Sequence, residues 1–235
     1  MARSLVASLR RRQQQGLLPL LSEIKVRSPK EGDLLRGRTP TALAQLMGAC
    51  PIAGLSVVTE PLDFGGDLTL LTQVKAQVAV PILCKDFHQK VANLEAAAAA
   101  GADAVLLIVS MLTDTQLLEL QAAAQRLGLE TLVEAHSSAD LQRIGSLALQ
   151  PDILGINNRD ILVRETDDGD VSRTEQLAAL LPKGVPVLSE SSIRGPDDAR
   201  RARDAGADAV LVGTSILLAA DPVQAIQDLV NVGWR

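Results

Sequence analysis

Eight short runs rich in leucine and β-branched residues recur along the chain, at 20–26, 52–58, 80–85, 104–109, 130–135, 153–156, 185–188 and 209–212. Each is too brief for an independent helix and is apolar without alternation, as expected of a strand covered on both faces. Helical patterns separate them. Leu117, Leu118, Leu120 and Leu127 mark one, and Leu177, Leu180 and Leu181 another, with charged or amide residues on the opposite side. Strand and helix in strict alternation specify a parallel sheet with helices packed over it, and about eight such units close into a barrel. The expected fold class is α/β, a single (β/α)8 TIM barrel domain over residues 1–235, with 1–19 as a short N-terminal helical extension.

The hexapeptide Gly-Ala-Asp-Ala-Val-Leu occurs twice, from Gly101 and from Gly206, entering the fourth and eighth expected strands. Half-barrel symmetry explains this, and so does a glycine helix stop that leads into a buried strand. The alanines at 96–100 suit a helix packed tightly on the barrel. The connection from Asn157 to about Gly169 carries Arg159, Asp160, Arg164, Glu165 and Asp167 to Asp170. It is longer and more polar than most connections and is expected to rim the active face.

Composition removes several classes of function. The longest apolar stretch, 96–112, is broken by Gly101 and Asp103, too soon for a membrane span. Arg10, Arg11 and Arg12 are followed by glutamines where an export signal would place an apolar segment. Cys50 and Cys84 lie far apart, which suggests neither a disulfide framework nor a metal site and fits a reducing cytoplasm. Net charge is −5 and the only aromatic residues are Phe64, Phe87 and Trp234, so a nucleic-acid partner is not expected. Arg200, Arg201 and Arg203 stand among Asp197, Asp198 and Asp204 and read as a solvated helix face.

Barrel enzymes assemble their sites from the C-terminal strand ends and the loops that follow. Polar residues collect there in this chain. Glu23 and Lys25 lie in the first run, Lys85 and Asp86 close the third, Glu134 closes the fifth, Asn157 the sixth, and Ser189-Glu190-Ser191 the seventh. Lysines and carboxylates are almost never fully buried without partners, so their convergence points to chemistry more than to a geometry-fixing salt-bridge network. An amine among apolar strands loses proton affinity and nearby carboxylates restore it, which tunes an acid–base pair toward neutral pH. The loops after the last two strands contain Ser191-Ser192-Ile193-Arg194-Gly195 and Gly213-Thr214-Ser215. In that position a glycine and hydroxyl turn opening a helix is a candidate phosphate site.

From Leu21 to Leu217 the chain resembles the indole-3-glycerol phosphate synthase family. The likeness is carried by Ser22-Glu23-Ile24-Lys25-Val26-Arg27-Ser28-Pro29, Leu55-Ser56-Val57-Val58-Thr59-Glu60, Phe64-Gly65-Gly66, Cys84-Lys85-Asp86-Phe87, Val105-Leu106-Leu107-Ile108, Leu132-Val133-Glu134, Gly155-Ile156-Asn157-Asn158-Arg159-Asp160, Ser189-Glu190-Ser191 and Val212-Gly213-Thr214-Ser215. The resemblance implies a cofactor-free carboxy-lyase of tryptophan biosynthesis. It would close the pyrrole ring of 1-(2-carboxyphenylamino)-1-deoxyribulose 5-phosphate with loss of carbon dioxide and water. It implies Lys85 as general acid, Glu134 as proton carrier during dehydration, Glu23 as their support, and Lys25 as the group that orients the substrate. Asn157, Glu190, Ser191 and Arg159 become polar contacts or supports, Phe87 and Leu106 flank the anthranilate ring, and Ser28, Ser192, Gly213 and Thr214 serve the phosphate. Ser28 also opens a glycine-containing loop suited to closing over the substrate. A monomer or weak homo-oligomer with no metal is expected.

Three positions depart from the family pattern. Ser192 stands where glycine is usual and would resist a positive φ. Only 22 residues precede Glu23, fewer than in members whose extra N-terminal helix helps cover the site. His136 follows Glu134 closely and is expected as a surface or loop histidine. Two other readings remain open at this point. One is a non-catalytic sugar-phosphate-binding paralogue, which has no need of an acid–base pair. The other is a phosphoribosylanthranilate isomerase-like enzyme, whose pair is a cysteine and an aspartate where this chain has Glu23 and Lys25.

Overall fold

The computed structural model describes residues 3–159 and 169–234. A helix, α1 (Leu5–Gln14), precedes the first barrel strand, β1 (Leu20–Ile24). The loop after β1 holds an antiparallel hairpin of β2 (Arg27–Ser28) and β3 (Gly32–Asp33). Strands and helices then alternate: α2 (Pro40–Gly48), β4 (Gly54–Val58), α3 (Leu68–Lys75), β5 (Ile82–Lys85), α4 (Val91–Ala100), β6 (Ala104–Ile108), α5 (Asp114–Leu127), β7 (Glu130–Ala135) and α6 (Ser138–Ser146). The chain continues through β8 (Ile153–Asn157), α7 (Ser172–Leu177), β9 (Val187–Glu190), α8 (Pro196–Ala205), β10 (Ala209–Val212), α9 (Thr214–Leu218) and α10 (Pro222–Val230). Each barrel strand pairs in parallel with its neighbour, and β10 pairs with β1 to close an eight-stranded barrel. This is the TIM barrel expected from the sequence.

Alternation along the strands explains why the apolar runs are continuous. Leu21, Leu83, Leu106, Leu132, Leu188 and Leu211 fill the interior, whereas Val57, Cys84, Val105, Val133, Ile156 and Val210 belong to the layer beneath the helices. Both sets are buried, so both faces select apolar residues. The seventh strand is the clearest shift from expectation. It starts at Val187 and runs on through Ser189 and Glu190, polar residues that an apolar pattern does not register.

Helix α1 seals one end of the barrel by placing Leu5 and Leu9 in the interior cluster. Glu130, the first residue of β7, fixes it there. Its carboxylate accepts the Leu5 N–H at 2.6 Å, the Val6 N–H at 3.1 Å and the Ser4 hydroxyl at 2.5 Å. The helix therefore covers the end where the strands begin, not the charged mouth. Removing the acceptor leaves a helix N-terminus short of partners, so Glu130→Ala is expected to lower unfolding free energy by about 1–3 kcal/mol. A urea titration of both proteins measures the difference.

The repeated hexapeptide has a local explanation at both places. Gly101 and Gly206 take positive φ where α4 and α8 end. Asp103 Oδ2 then accepts the Ile82 N–H at 2.8 Å, and Asp208 Oδ2 accepts the Val187 N–H at 2.9 Å. Each aspartate pins the start of the preceding strand. The alanines of α4 bury Ala97 beside Leu94, and the arginines of α8 face its aspartates, with Arg200 2.6 Å from Asp197 and Arg203 2.8 Å from Asp204. Residues 160–168, including Asp160, Arg164, Glu165 and Asp167 of the long polar connection, lie outside the described residues.

Candidate active site

At the mouth opposite α1, inward-facing positions change from leucine to charge. Lys85 Nζ lies 3.1 Å from Glu190 Oε2 and 3.8 Å from Glu23 Oε2, and Lys25 Nζ lies 3.5 Å from Glu23 Oε1. Glu23, Lys25, Glu134 and Glu190 are all buried. Two glycines make room for the carboxylates. A Cβ on Gly155 of β8 would sit 2.6 Å from Glu190 Oε1, and one on Gly213 would sit 2.7 Å from Glu23 Oε1. The loop after β4 brings Phe64 over Lys25, with the ammonium 5.4 Å from the ring centroid, within cation–π range. The Glu60 carboxylate shapes that loop by accepting the N–H groups of Leu62, Asp63 and Phe64 at 2.8, 2.7 and 3.1 Å.

Burial and the charge of Glu134 raise Glu190 to about 8, against the pull of Lys85. Burial also works to raise Glu134, but contacts from His136, Lys85 and Glu190 outweigh it and leave Glu134 below the ordinary carboxylate value. The two carboxylates are thus pushed in opposite directions, Glu134 toward the ionised form and Glu190 toward the protonated one. A raised folded-state value means that the folded protein holds a proton the unfolded chain has released. That contribution is complete below the ordinary carboxylate range and is lost as pH rises through about 8. Glu190→Gln, neutral throughout, is expected to gain melting temperature relative to the parent between about pH 5 and 9. A difference that stays constant across that range would show that Glu190 is already ionised.

Two connected recesses open from this cluster. The first, about 640 Å³, has an apolar wall of Val58, Phe64, Phe87, Leu106 and Ile108 facing Lys25, Lys85, Glu134, Asn157 and Arg159. The second, about 1040 Å³, shares Glu23, Lys25, Lys85 and Arg159 and extends to Lys30, Ser191, Ser192, Arg194, Gly213 and Thr214. Ser191 and Ser192 have φ of 67° and 58°, so the serine in place of glycine does adopt the left-handed conformation. Asn158 braces the segment, its Nδ2 donating to the carbonyls of Glu190 at 3.0 Å and Ser191 at 3.2 Å. Ser215 Oγ donates to the Ile193 carbonyl at 3.0 Å and ties the last two loops together.

The sequence-based candidates thus converge, with differences. Ser28 lines neither recess, and its hydroxyl accepts the Glu31 N–H at 3.0 Å inside the hairpin turn. Glu190 lies beneath the recesses as a partner of Lys85. His136 corrects the surface reading. It lies in the loop just past β7, as a loop histidine would, yet its side chain is only 10% exposed and its Nε2 lies 3.2 Å from Glu134 Oε1, because the strand's alternation runs on into the residue after it. Phe64, Lys30 and Arg194 carry no assigned site role in the sequence reading, although Phe64 and Arg194 lie in segments it names. Phe64 had a signal, as one of only two phenylalanines in the chain. Among the described residues, no group of three or more His, Cys, Asp or Glu side chains is arranged to hold a metal ion.

Lysines held between carboxylates, beside an apolar slot and a cationic recess, suit proton transfer on a small anionic molecule, and the class is that of the (β/α)8-barrel enzymes. The family model described as indole-3-glycerol phosphate synthase matches residues 1–229. Among curated relatives, indole-3-glycerol phosphate synthase of Thermococcus kodakarensis is 42% identical over 215 residues, covering 91% of this chain and 92% of that protein. The synthase of Shouchella clausii is 41% identical, covering 97% of this chain and 87% of that protein. The chain belongs to the indole-3-glycerol phosphate synthase family, carboxy-lyases of tryptophan biosynthesis. A solved structure of orotidine 5'-phosphate decarboxylase from Pyrococcus horikoshii OT3 is similar in fold, with a TM-score of 0.62 at 18% identity over 80% of this chain and 90% of that one.

Proposed function

We propose that the paired recesses carry out the family reaction on 1-(2-carboxyphenylamino)-1-deoxyribulose 5-phosphate, with the aryl ring in the first and the phosphate in the second. The supporting observation is their continuity across Lys25 and Lys85, with an apolar wall at one end and hydroxyls and cations at the other. The aryl carbon bearing the carboxylate attacks the ketone carbon, and Lys85 protonates the ketone oxygen. Carbon dioxide departs and returns its electron pair to the ring. The new hydroxyl takes a second proton and leaves as water, while Glu134 removes a proton from the carbon beside nitrogen and completes the indole.

Glu23 bridges the two lysines and supports proton return to Lys85. Lys25 holds the substrate carboxylate near Phe64, and Phe87 and Leu106 flank the ring. Asn157 and Arg159 contact the sugar hydroxyls. Ser191, Ser192, Gly213 and Thr214 hold the phosphate, with Lys30 taking the place first assigned to Ser28 on the hairpin. The proposed form is one domain acting as a monomer or weak homo-oligomer in the cytoplasm, in keeping with the free, buried Cys50 and Cys84. Mixing purified protein with the substrate and following indole fluorescence tests the reading. Growth of the indole signal is expected. Binding without any signal would instead favour a sugar-phosphate-binding protein.

A further inference from the structure

We propose that His136 is a positioning residue for Glu134, holding its carboxylate ready as the proton acceptor of the buried Glu134–Glu190 pair at the mouth. The proposal rests on the role given to Glu134 above. Strand β7 ends at Ala135, and its alternation carries Glu134 and His136 to the same inward side. The ring is nine-tenths buried with Nε2 3.2 Å from Glu134 Oε1, a close contact without hydrogen-bond geometry, and neither ring nitrogen and neither Glu134 oxygen has a hydrogen-bond partner among the described residues. Its backbone is fixed separately: the His136 N–H donates to Asp140 Oδ2 at 2.8 Å, and the Asp140 N–H donates to Ser137 Oγ at 3.1 Å. The start of α6 therefore sets where the imidazole stands.

The charge pattern gives that placement a purpose. Lys85 sets its ammonium 3.1 Å from Glu190 and 3.8 Å from Glu23, whereas the His136 ring stands 3.2 Å from Glu134. Gly155 lets Glu190 occupy the space next to Glu134, so two buried carboxylates share one enclosure. Like charges in such a place do not both ionise freely, and the one with the better donor keeps its charge. The ionisable groups that act on Glu134 are His136 from the loop after β7, Lys85 from β5 and Glu190 from β9. Of these, His136 stands 3.2 Å from Glu134 Oε1 and has no comparable contact with Glu190 among the ion pairs of the described residues.

Steady-state kinetics across pH and ring-nitrogen NMR test this on the intact protein. His136→Ala is expected to lower kcat about tenfold with KM within about twofold, since the contact that holds the Glu134 carboxylate is lost away from the substrate. The acid limb of its kcat profile should move to higher pH, because an unsupported Glu134 ionises later. His136→Gln places an amide nitrogen near the Nε2 position and should restore both kcat and the limb. The protein has two histidines, so His88 serves as the internal control in the NMR spectrum. His136 is expected to carry its proton on Nε2, and its ring signals should shift on Glu134→Gln while those of His88 stay. An unchanged kcat profile in His136→Ala, or ring signals indifferent to Glu134→Gln, would overturn the proposal. Absence of turnover in the parent protein would instead overturn the residue roles above, because the NMR comparison reads the contact without catalysis.

Discussion

Lys85→Met is expected to cut kcat for indole formation by about 10³-fold, within the range that a positioned general acid supplies. The side chain stands at the junction of both recesses, with its ammonium against Glu190 and Glu23. Methionine keeps much of the length and removes the proton. Glu190 can hold its own proton, so the variant need not leave an extra buried charge, and circular dichroism should show a folded barrel. Lys85→Arg separates charge from proton transfer, because guanidinium keeps the cation but does not release its proton near neutral pH. Both variants should lose turnover together. An arginine variant within tenfold of the parent would make Lys85 an electrostatic anchor and move the acid role to another group.

Gly66→Ala is expected to destabilise the protein by about 3 kcal/mol, the upper part of the overpacking range. A Cβ at Gly66 would lie 2.0 Å from the Val58 carbonyl oxygen and 2.8 Å from Thr59 Cα. Both are backbone atoms at the end of β4, so no rotamer change relieves the contact. The Gly66 N–H also donates to the Glu60 carbonyl at 3.0 Å, closing the loop that carries Phe64. A second effect should therefore appear in surviving protein: a higher KM, as Phe64 leaves the wall of the first recess. Chemical unfolding read beside substrate titration checks both. An unfolding midpoint equal to the parent's would mean that the loop accepts another path around β4.

Much of this molecule was legible in the chain because barrel strands answer to one local rule. A strand buried on both sides must be apolar at nearly every position, so uninterrupted runs marked the strands and breaks in them marked the mouth. Lys85, Glu134, Asn157 and Glu190 stood out as polar groups ending apolar runs, and the structure brings them within one cluster. Ser192 was also readable, since a serine in a glycine position raises a question of backbone conformation that its φ of 58° answers.

What the sequence by itself determined was the alternation of elements, the closed parallel barrel and the set of charges at its C-terminal end, all consequences of burial acting on neighbours in the chain. Only the tertiary structure decided which of those charges meet. That Gly155 opens space for Glu190, that Phe64 covers Lys25, that His136 rather than a lysine pairs with Glu134, and that α1 seals the far end all depend on distances between separate strands and loops. Those distances are set by barrel closure and loop path, and Coulomb and steric energies respond to them at the scale of an ångström.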